Sequence, residues 1–277
     1  MPRAAVLGAP VAHSLSPVLH GAAYRELGLT GWQYDAIECD EQRLPGLLDT
    51  LGPEWAGLSL TMPLKRAVLP LLDETQPLAA EVGAANTVVF SGGQRQGFNT
   101  DVSGIVTALR EAGVKSAGNA VVLGSGATAC SALAALRETG AAVATVAVRS
   151  RSRAGPLLAV AERLGVEVTL ADAGTELVAR SWDLLISTVP AAGAEQAAAR
   201  LADGSLTAGA VFDVSYDPWP TVLAAAAALA GSTVISGYEM LVHQAAAQIE
   251  LMTGCVAPVS VMRTAGLAEL ARRRNIR

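Results

Sequence analysis

The sequence predicts an α/β protein built from two domains, and three observations carry that prediction. Short apolar runs alternate with longer helical patterns along most of the chain, as in parallel sheets covered by helices on both faces. The chain has 277 residues, which at roughly 150 residues per domain makes about two. A glycine-rich turn, Gly124-Ser125-Gly126-Ala127-Thr128-Ala129, follows an apolar strand and opens a helix near the middle of the chain, which marks the start of a nucleotide-binding unit.

In the first hundred residues, Val6-Leu7-Gly8 ends a strand. Ser16-Pro17 starts a helix reaching about residue 27, with serine at the cap and proline in the first turn. Residues 33–38 read as a strand, 41–51 as a helix, 58–60 as a strand and 66–72 as a helix. Residues 87–90 and 94–98 flank Gly92-Gly93, a hairpin signal. Asp101 caps a helix running to about residue 112, and the apolar run 119–123 leads into the glycine-rich turn. A helix to residue 139 and a strand at 143–148 follow. Further strands are expected at 166–170, 184–187, 211–213 and 234–235, with helices between them. From Gly237 the pattern is helical to the end, interrupted near Pro258. The partition is residues 1–101 as one α/β domain, with 237–277 packing back on it, and residues 102–236 as a Rossmann-type, doubly wound domain.

Composition excludes several classes of function. The hydrophobic fraction is 51%, the charged fraction 16% and the net charge −5, so the chain folds and carries no basic stripe for nucleic acid. The cluster Arg272-Arg273-Arg274 with Arg277 reads as a solvated helix end. Residues 218–238 lack charge, but Pro218, Pro220 and Gly231-Ser232 interrupt them, so no membrane span is expected. Cys39, Cys130 and Cys255 are widely spaced, which predicts free thiols in a reducing, cytoplasmic setting. The first residues begin a strand, so no signal peptide is expected. His13, His20 and His243 have no metal-ligand spacing, and no metal is expected.

Gly124, Ser125, Gly126 and Ala127 let a backbone approach a pyrophosphate at a helix N-terminus. The following strand ends in Val148-Arg149-Ser150-Arg151-Ser152-Arg153. An NAD site normally places an acidic residue there; three arginines instead favour a 2′-phosphate, and hence NADP, with Arg149 and Arg153 as its contacts.

Polar side chains in the other domain collect at loops after strands, where ligands of α/β folds bind. These include Ser14 and Ser16, Thr61, Lys65, Asn86, Asp101 and, later in the chain, Gln244. Two hydroxyls at a helix start suit a carboxylate. Lys65 and Lys115 are the two lysines of the chain. Lysine can exchange a proton where arginine cannot, so Lys65 beside Asp101 makes an acid–base pair if their strands are neighbours.

Together, Ser14-Leu15-Ser16-Pro17-x-x-His20, Thr61-x-Pro63-x-Lys65, Ala85-Asn86-Thr87, Gly97-x-Asn99-Thr100-Asp101, Gly124-x-Gly126-x-x-Ala129 and Gly237-x-x-Met240-Leu241-x-x-Gln244 resemble the shikimate dehydrogenase family in order and spacing. The resemblance implies a substrate domain and an NADP domain. It implies reversible reduction of 3-dehydroshikimate to shikimate, in aromatic amino-acid biosynthesis, by a monomer or homodimer. It assigns the substrate carboxylate to Ser14 and Ser16, ring hydroxyls to Thr61, Asn86, Asp101 and Gln244, and acid–base work at the C3 oxygen to Lys65 with Asp101. Tyr216 matches a tyrosine near the substrate, and Gly237 and Met240 lie by the nicotinamide. Ser59, Gly21 and Val148 each stand where the family usually has asparagine.

Two rivals share the chemistry or the layout: a quinate/shikimate or aminoshikimate dehydrogenase, and a methylene-tetrahydrofolate dehydrogenase, whose tyrosine four residues before the lysine is Thr61 here. A glutamyl-tRNA reductase would need a nucleophilic cysteine and tRNA-binding charge. A non-catalytic NADP-binding sensor would not need Lys65, Asp101 and both serines together.

Overall fold

The computed structural model describes residues 1–177 and 180–275. Its contacts divide the chain into two units. One runs to Thr100 and resumes at Val242; the other spans Asp101–Leu241.

The first unit contains β1 (Arg3–Gly8), α1 (Ser16–Glu26), β2 (Gln33–Glu38), α2 (Leu44–Asp49), β3 (Trp55–Leu60), α3 (Leu64–Ala67), β4 (Glu74–Thr75), α4 (Pro77–Val82), β5 (Thr87–Ser91) and β6 (Gln94–Phe98). Its sheet has the order β2-β1-β3-β5-β6-β4. β1 runs parallel to β2 and β3, whereas β5 is antiparallel to β3 and β6. This sheet is mixed because Gly92 and Gly93, at φ 59° and 79°, make a two-residue turn. Such a turn leaves no room for the crossover that a parallel pair requires. Leu7, Leu58, Leu60, Leu64 and Val88 belong to one buried cluster, and each such side chain stabilises the fold by about 2 kcal/mol when withdrawn from water. α2 is shorter than the sequence pattern predicts because Pro45 belongs in a first turn.

The second unit comprises α5 (Asp101–Glu111), β7 (Ala120–Leu123), α6 (Ala127–Glu138), β8 (Val143–Val148), α7 (Gly155–Leu164), β9 (Glu167–Asp172), β10 (Arg180–Ser187), α8 (Ala191–Ala202), β11 (Leu206–Asp213), α9 (Val222–Leu229) and β12 (Thr233–Ser236). Its strands lie in the order β12-β11-β10-β7-β8-β9, each parallel to its neighbours. The chain winds outward from β7 in one direction and from β10 in the other, the doubly wound arrangement predicted. Between β9 and β10 the described residues 173–177 form turns rather than the expected helix. α10 (Gly237–Thr253) and α11 (Val259–Arg274) complete the chain, and α11 packs on α1 within the first unit. Among the described residues, no helix is long and apolar enough to cross a membrane.

Candidate active site

The carboxyl ends of β7 and β8 and the segment after β10 border a cleft of about 830 Å³. It lies where the strand order reverses, the position at which open parallel sheets receive ligands. Gly124 leaves β7 with φ +107°, and a Cβ there would come within 2.7 Å of Thr188 Oγ1 and 3.0 Å of Val189 Cγ1. Any side chain at this position is therefore opposed by both conformation and space. Gly126 caps α6 in extended backbone. The first N–H groups of a helix lack partners inside it, and with the positive end of the dipole they suit a pyrophosphate. Ser125 borders the same cleft, and Ala127 begins α6.

Arg149 and Arg153 line the cleft and are exposed, with no carboxylate partner among the described residues. Arg151 is different: its guanidinium pairs with Glu176 at 2.7 Å. Arg151 was not among the expected contacts, and its pairing leaves Arg149 and Arg153 as the arginines of this run that line the cleft. Glu195 is the one acid among the lining residues, so the wall is net positive. These groups fit a dinucleotide carrying an additional ribose phosphate. Val189, Gly193 and Gln196 also line the cleft and were missed by the sequence reading. Their signal is position alone, just after a central strand.

Tyr216 follows β11 in the loop opened by Asp213, whose buried carboxylate accepts from Thr221 Oγ1 at 2.7 Å and Ser215 N–H at 3.1 Å. Burial raises the Asp213 pKa, opposed by the Thr221 hydrogen bond. Gly237 opens α10, and a Cβ on it would collide with the Val214 carbonyl. Met240 lies within the next turn and is buried.

In the first unit, Ser16 N–H donates to Ser14 Oγ at 3.2 Å, so both serines are held at the start of α1. Arg273 on α11 donates to the carbonyls of His13 and Ser14 at 2.8 and 3.4 Å, and pairs with Glu269 at 2.7 Å. Hydrogen bonds from Arg272 and Arg273 hold the Glu269 pKa down to about 2. The C-terminal basic cluster is thus partly a brace on the serine loop rather than a wholly solvated end; Arg277 lies outside the described residues.

Thr61 follows β3, and its N–H donates to Leu7 C=O at 2.9 Å. Gly8 leaves room for its methyl, which a Cβ would strike. Lys65 is half-buried in α3, with its carbonyl accepting Ala85 N–H at 2.8 Å. Asn86 is 1% exposed. Its Oδ1 accepts Thr100 N–H at 2.8 Å, while its Nδ2 faces Thr100 Oγ1 at 2.9 Å and Gln244 Oε1 at 3.3 Å. The structure therefore brings Ser14 to Ser16 and Asn86 to Gln244. Lys65 belongs to the first unit, and Asp101, fully buried, opens the second. Tyr34 and Gln248, beneath this polar set, were also missed.

A family model described as "Shikimate dehydrogenase substrate binding domain" matches residues 6–88, and one described as "Shikimate 5'-dehydrogenase C-terminal domain" matches residues 237–265. The chain is 39% identical to a protein of Methanopyrus kandleri named shikimate dehydrogenase (NADP(+)), over 96% of this chain and 94% of the relative. A Thermus thermophilus protein of the same name is 38% identical over 99% and 98% of the two chains. The crystal structure of Mycobacterium tuberculosis shikimate dehydrogenase superposes with TM-score 0.85 at 43% identity, covering 97% of this chain and all (100%) of that one. The Thermus thermophilus enzyme in complex with NADP(H) and shikimate has TM-score 0.81 at 33% identity, covering 97% and 99%.

Proposed function

The chain belongs to the shikimate dehydrogenase family, and on that basis we propose that it interconverts shikimate and 3-dehydroshikimate with NADP as redox cofactor. The observation that carries this reading is similarity over nearly the full length to NADP-dependent shikimate dehydrogenases. The wall formed by Arg149 and Arg153 supports the choice of cofactor.

Bound NADP supplies the hydride acceptor for oxidation and, when reduced, the donor for the reverse reaction. Ser14 and Ser16 hold the substrate carboxylate through their hydroxyls. Thr61, Asn86 and Gln244 hydrogen-bond the ring hydroxyls, and Tyr216 lies beside the ring. Gly124, Ser125, Gly126 and Ala127 hold the pyrophosphate, while Gly237 and Met240 border the nicotinamide. As hydride leaves C3, Lys65 takes the proton of the C3 hydroxyl. In reduction its ammonium returns that proton to the developing alkoxide. Asp101 is assigned a ring hydroxyl and a supporting part in that proton transfer. Positioned proton transfer of this kind contributes about 10²–10⁴-fold to rate. Cys39, Cys130 and Cys255 form no disulfide, which fits work in the cytoplasm.

The deciding assay follows absorbance at the NADPH band with shikimate and quinate, each offered NADP⁺ and NAD⁺. Shikimate with NADP⁺ should be the fastest pair; faster quinate oxidation would favour the paralogue, and silence in all four would favour a sensor. Lys65→Arg should bind shikimate and lose at least about 100-fold in kcat. Near-normal turnover would remove Lys65 as the proton carrier. Ser14→Ala with Ser16→Ala should chiefly raise KM for shikimate.

A further inference from the structure

We propose that Gln248 is a positioning residue whose buried hydrogen bonds set which end of the Asn86 amide is turned toward the substrate. The inference rests on the dehydrogenase reading above and adds a residue that no motif in the sequence contains.

Gln248 lies on α10 one helical turn beyond Gln244, so the two share a face. It is 3% exposed, and a buried amide must find partners for its oxygen and its N–H groups. Gln248 Oε1 accepts from Ser59 Oγ at 2.8 Å. Ser59 Oγ in turn accepts from the Tyr34 hydroxyl at 2.6 Å. On its other side, Gln248 Nε2 donates to Thr87 Oγ1 at 3.1 Å and lies 3.4 Å from the Asn86 carbonyl. Thr87 Oγ1 donates to Asn86 Oδ1 at 3.0 Å.

Every donor in this series points the same way: Tyr34 to Ser59, Ser59 to Gln248, Gln248 to Thr87, Thr87 to Asn86. Bonds aligned in this manner polarise one another. Their last acceptor is Asn86 Oδ1, which also accepts Thr100 N–H. Thr100 Oγ1 also lies 3.2 Å from that oxygen, and with Oδ1 held by these donors Asn86 turns its Nδ2 to Thr100 Oγ1 and Gln244 Oε1. A substrate hydroxyl arriving there would take over the N–H that faces Gln244 Oε1 at 3.3 Å, the longer of the two bonds.

His20 closes the chain from below. Its ring stacks on Tyr34 at 3.8 Å and an interplanar angle of 22°, and its Nε2 lies 3.4 Å from Gln248 Oε1. Burial holds the His20 pKa down to about 3, so at neutral pH the ring is uncharged and its Nε2–H can donate to Gln248. Ser59, a departure from the family pattern, is here the relay between Tyr34 and Gln248. Its one hydroxyl both accepts and donates, as the direction of the chain requires.

Three variants test the proposal by their separate KM values for shikimate and NADP⁺. Gln248→Met keeps side-chain length and removes both polar ends. It should raise shikimate KM about tenfold, the expected effect of losing one well-made hydrogen bond, and leave NADP⁺ KM within about twofold. Gln248→Glu keeps shape but, when ionised, cannot donate to Thr87. Its shikimate KM should be raised at pH 8 and recover toward pH 6 as the buried carboxyl gains a proton, relative to wild type at each pH. Should Gln248→Met fail to fold, Tyr34→Phe decides: it deletes one hydroxyl from a ring that stays stacked, and should raise shikimate KM about threefold. A shikimate KM unchanged in the folded variants, a parallel rise in both KM values, or no pH dependence for Gln248→Glu overturns the proposal. A wild type that does not oxidise shikimate sinks the proposed function and this inference with it. An active wild type whose folded variants keep its shikimate KM sinks this inference alone.

Discussion

Replacing Arg149 and Arg153 by alanine, singly and together, isolates what the cleft does for the extra phosphate of NADP. Both guanidinium groups are exposed on the cleft wall and have no carboxylate partner among the described residues. A phosphate contact there is not offset by breaking an existing ion pair. A hydrogen bond between charged groups contributes about 1.5–3 kcal/mol, and about 1.4 kcal/mol is a factor of ten. Exposure and salt screening place these two arginines at the lower end. Each single substitution should therefore lower kcat/KM for NADP⁺ about tenfold. The double variant should lose less than the product of the two, since both arginines would share one phosphate. With NAD⁺, which lacks that phosphate, kcat/KM should move less than about threefold in every variant. Arg151→Ala is the internal control, because Arg151 is tied to Glu176; it should leave both cofactors within about threefold. Initial rates with each cofactor at fixed shikimate supply all the numbers. An equal loss with NADP⁺ and NAD⁺, or an Arg151→Ala variant as impaired as Arg149→Ala, would refute the assignment of Arg149 and Arg153 to the phosphate.

Two further outcomes follow from packing and burial. Gly237→Ala places a methyl against the Val214 carbonyl, and overpacking of this kind costs about 1–3 kcal/mol. A drop in thermal midpoint of several degrees should result, and a variant melting with the wild type would show that the backbone yields there. His20 has a folded pKa of about 3, against 6.5 for the free side chain, chiefly through burial. The unfolded chain alone takes up this proton as pH falls below the free value, so stability is lost between about pH 6.5 and pH 3, by up to about 1.4 kcal/mol per unit. His20→Gln, which keeps an N–H donor without a titrating ring, should flatten the fall in urea midpoint between pH 6.5 and pH 5. An unchanged slope would place the acid sensitivity elsewhere.

Features with a local code were legible in the sequence, and features completed by distant partners were not. The turn after β7 announces itself because Gly124 and Gly126 serve adjacent backbone needs. The hairpin is equally plain, since Gly92 and Gly93 both adopt positive φ. β4 has two residues and pairs with β6, so nothing in its own composition marks it. α4 begins at Pro77 and ends at Gly83 in the left-handed region, a start and a stop that the sequence carried but the reading overlooked.

The same distinction runs through the site. Ser14, Ser16, Thr61, Lys65, Asn86 and Thr87 fall in short motifs, whereas Tyr34, Ser59 and Gln248 lie outside them, and Ser59 and Gln248 meet across 189 positions. Yet Ser59 held a clue of its own. It stands between Leu58 and Leu60 in β3, and all three are buried. An alternating reading of the strand would turn Ser59 to water, as in a sheet with one wet face. With both faces covered, its hydroxyl must be answered from inside the protein, and a partner must come from another element. A lone polar residue in an otherwise apolar strand therefore marks a place to look for a network, even when the sequence cannot say which side chains complete it.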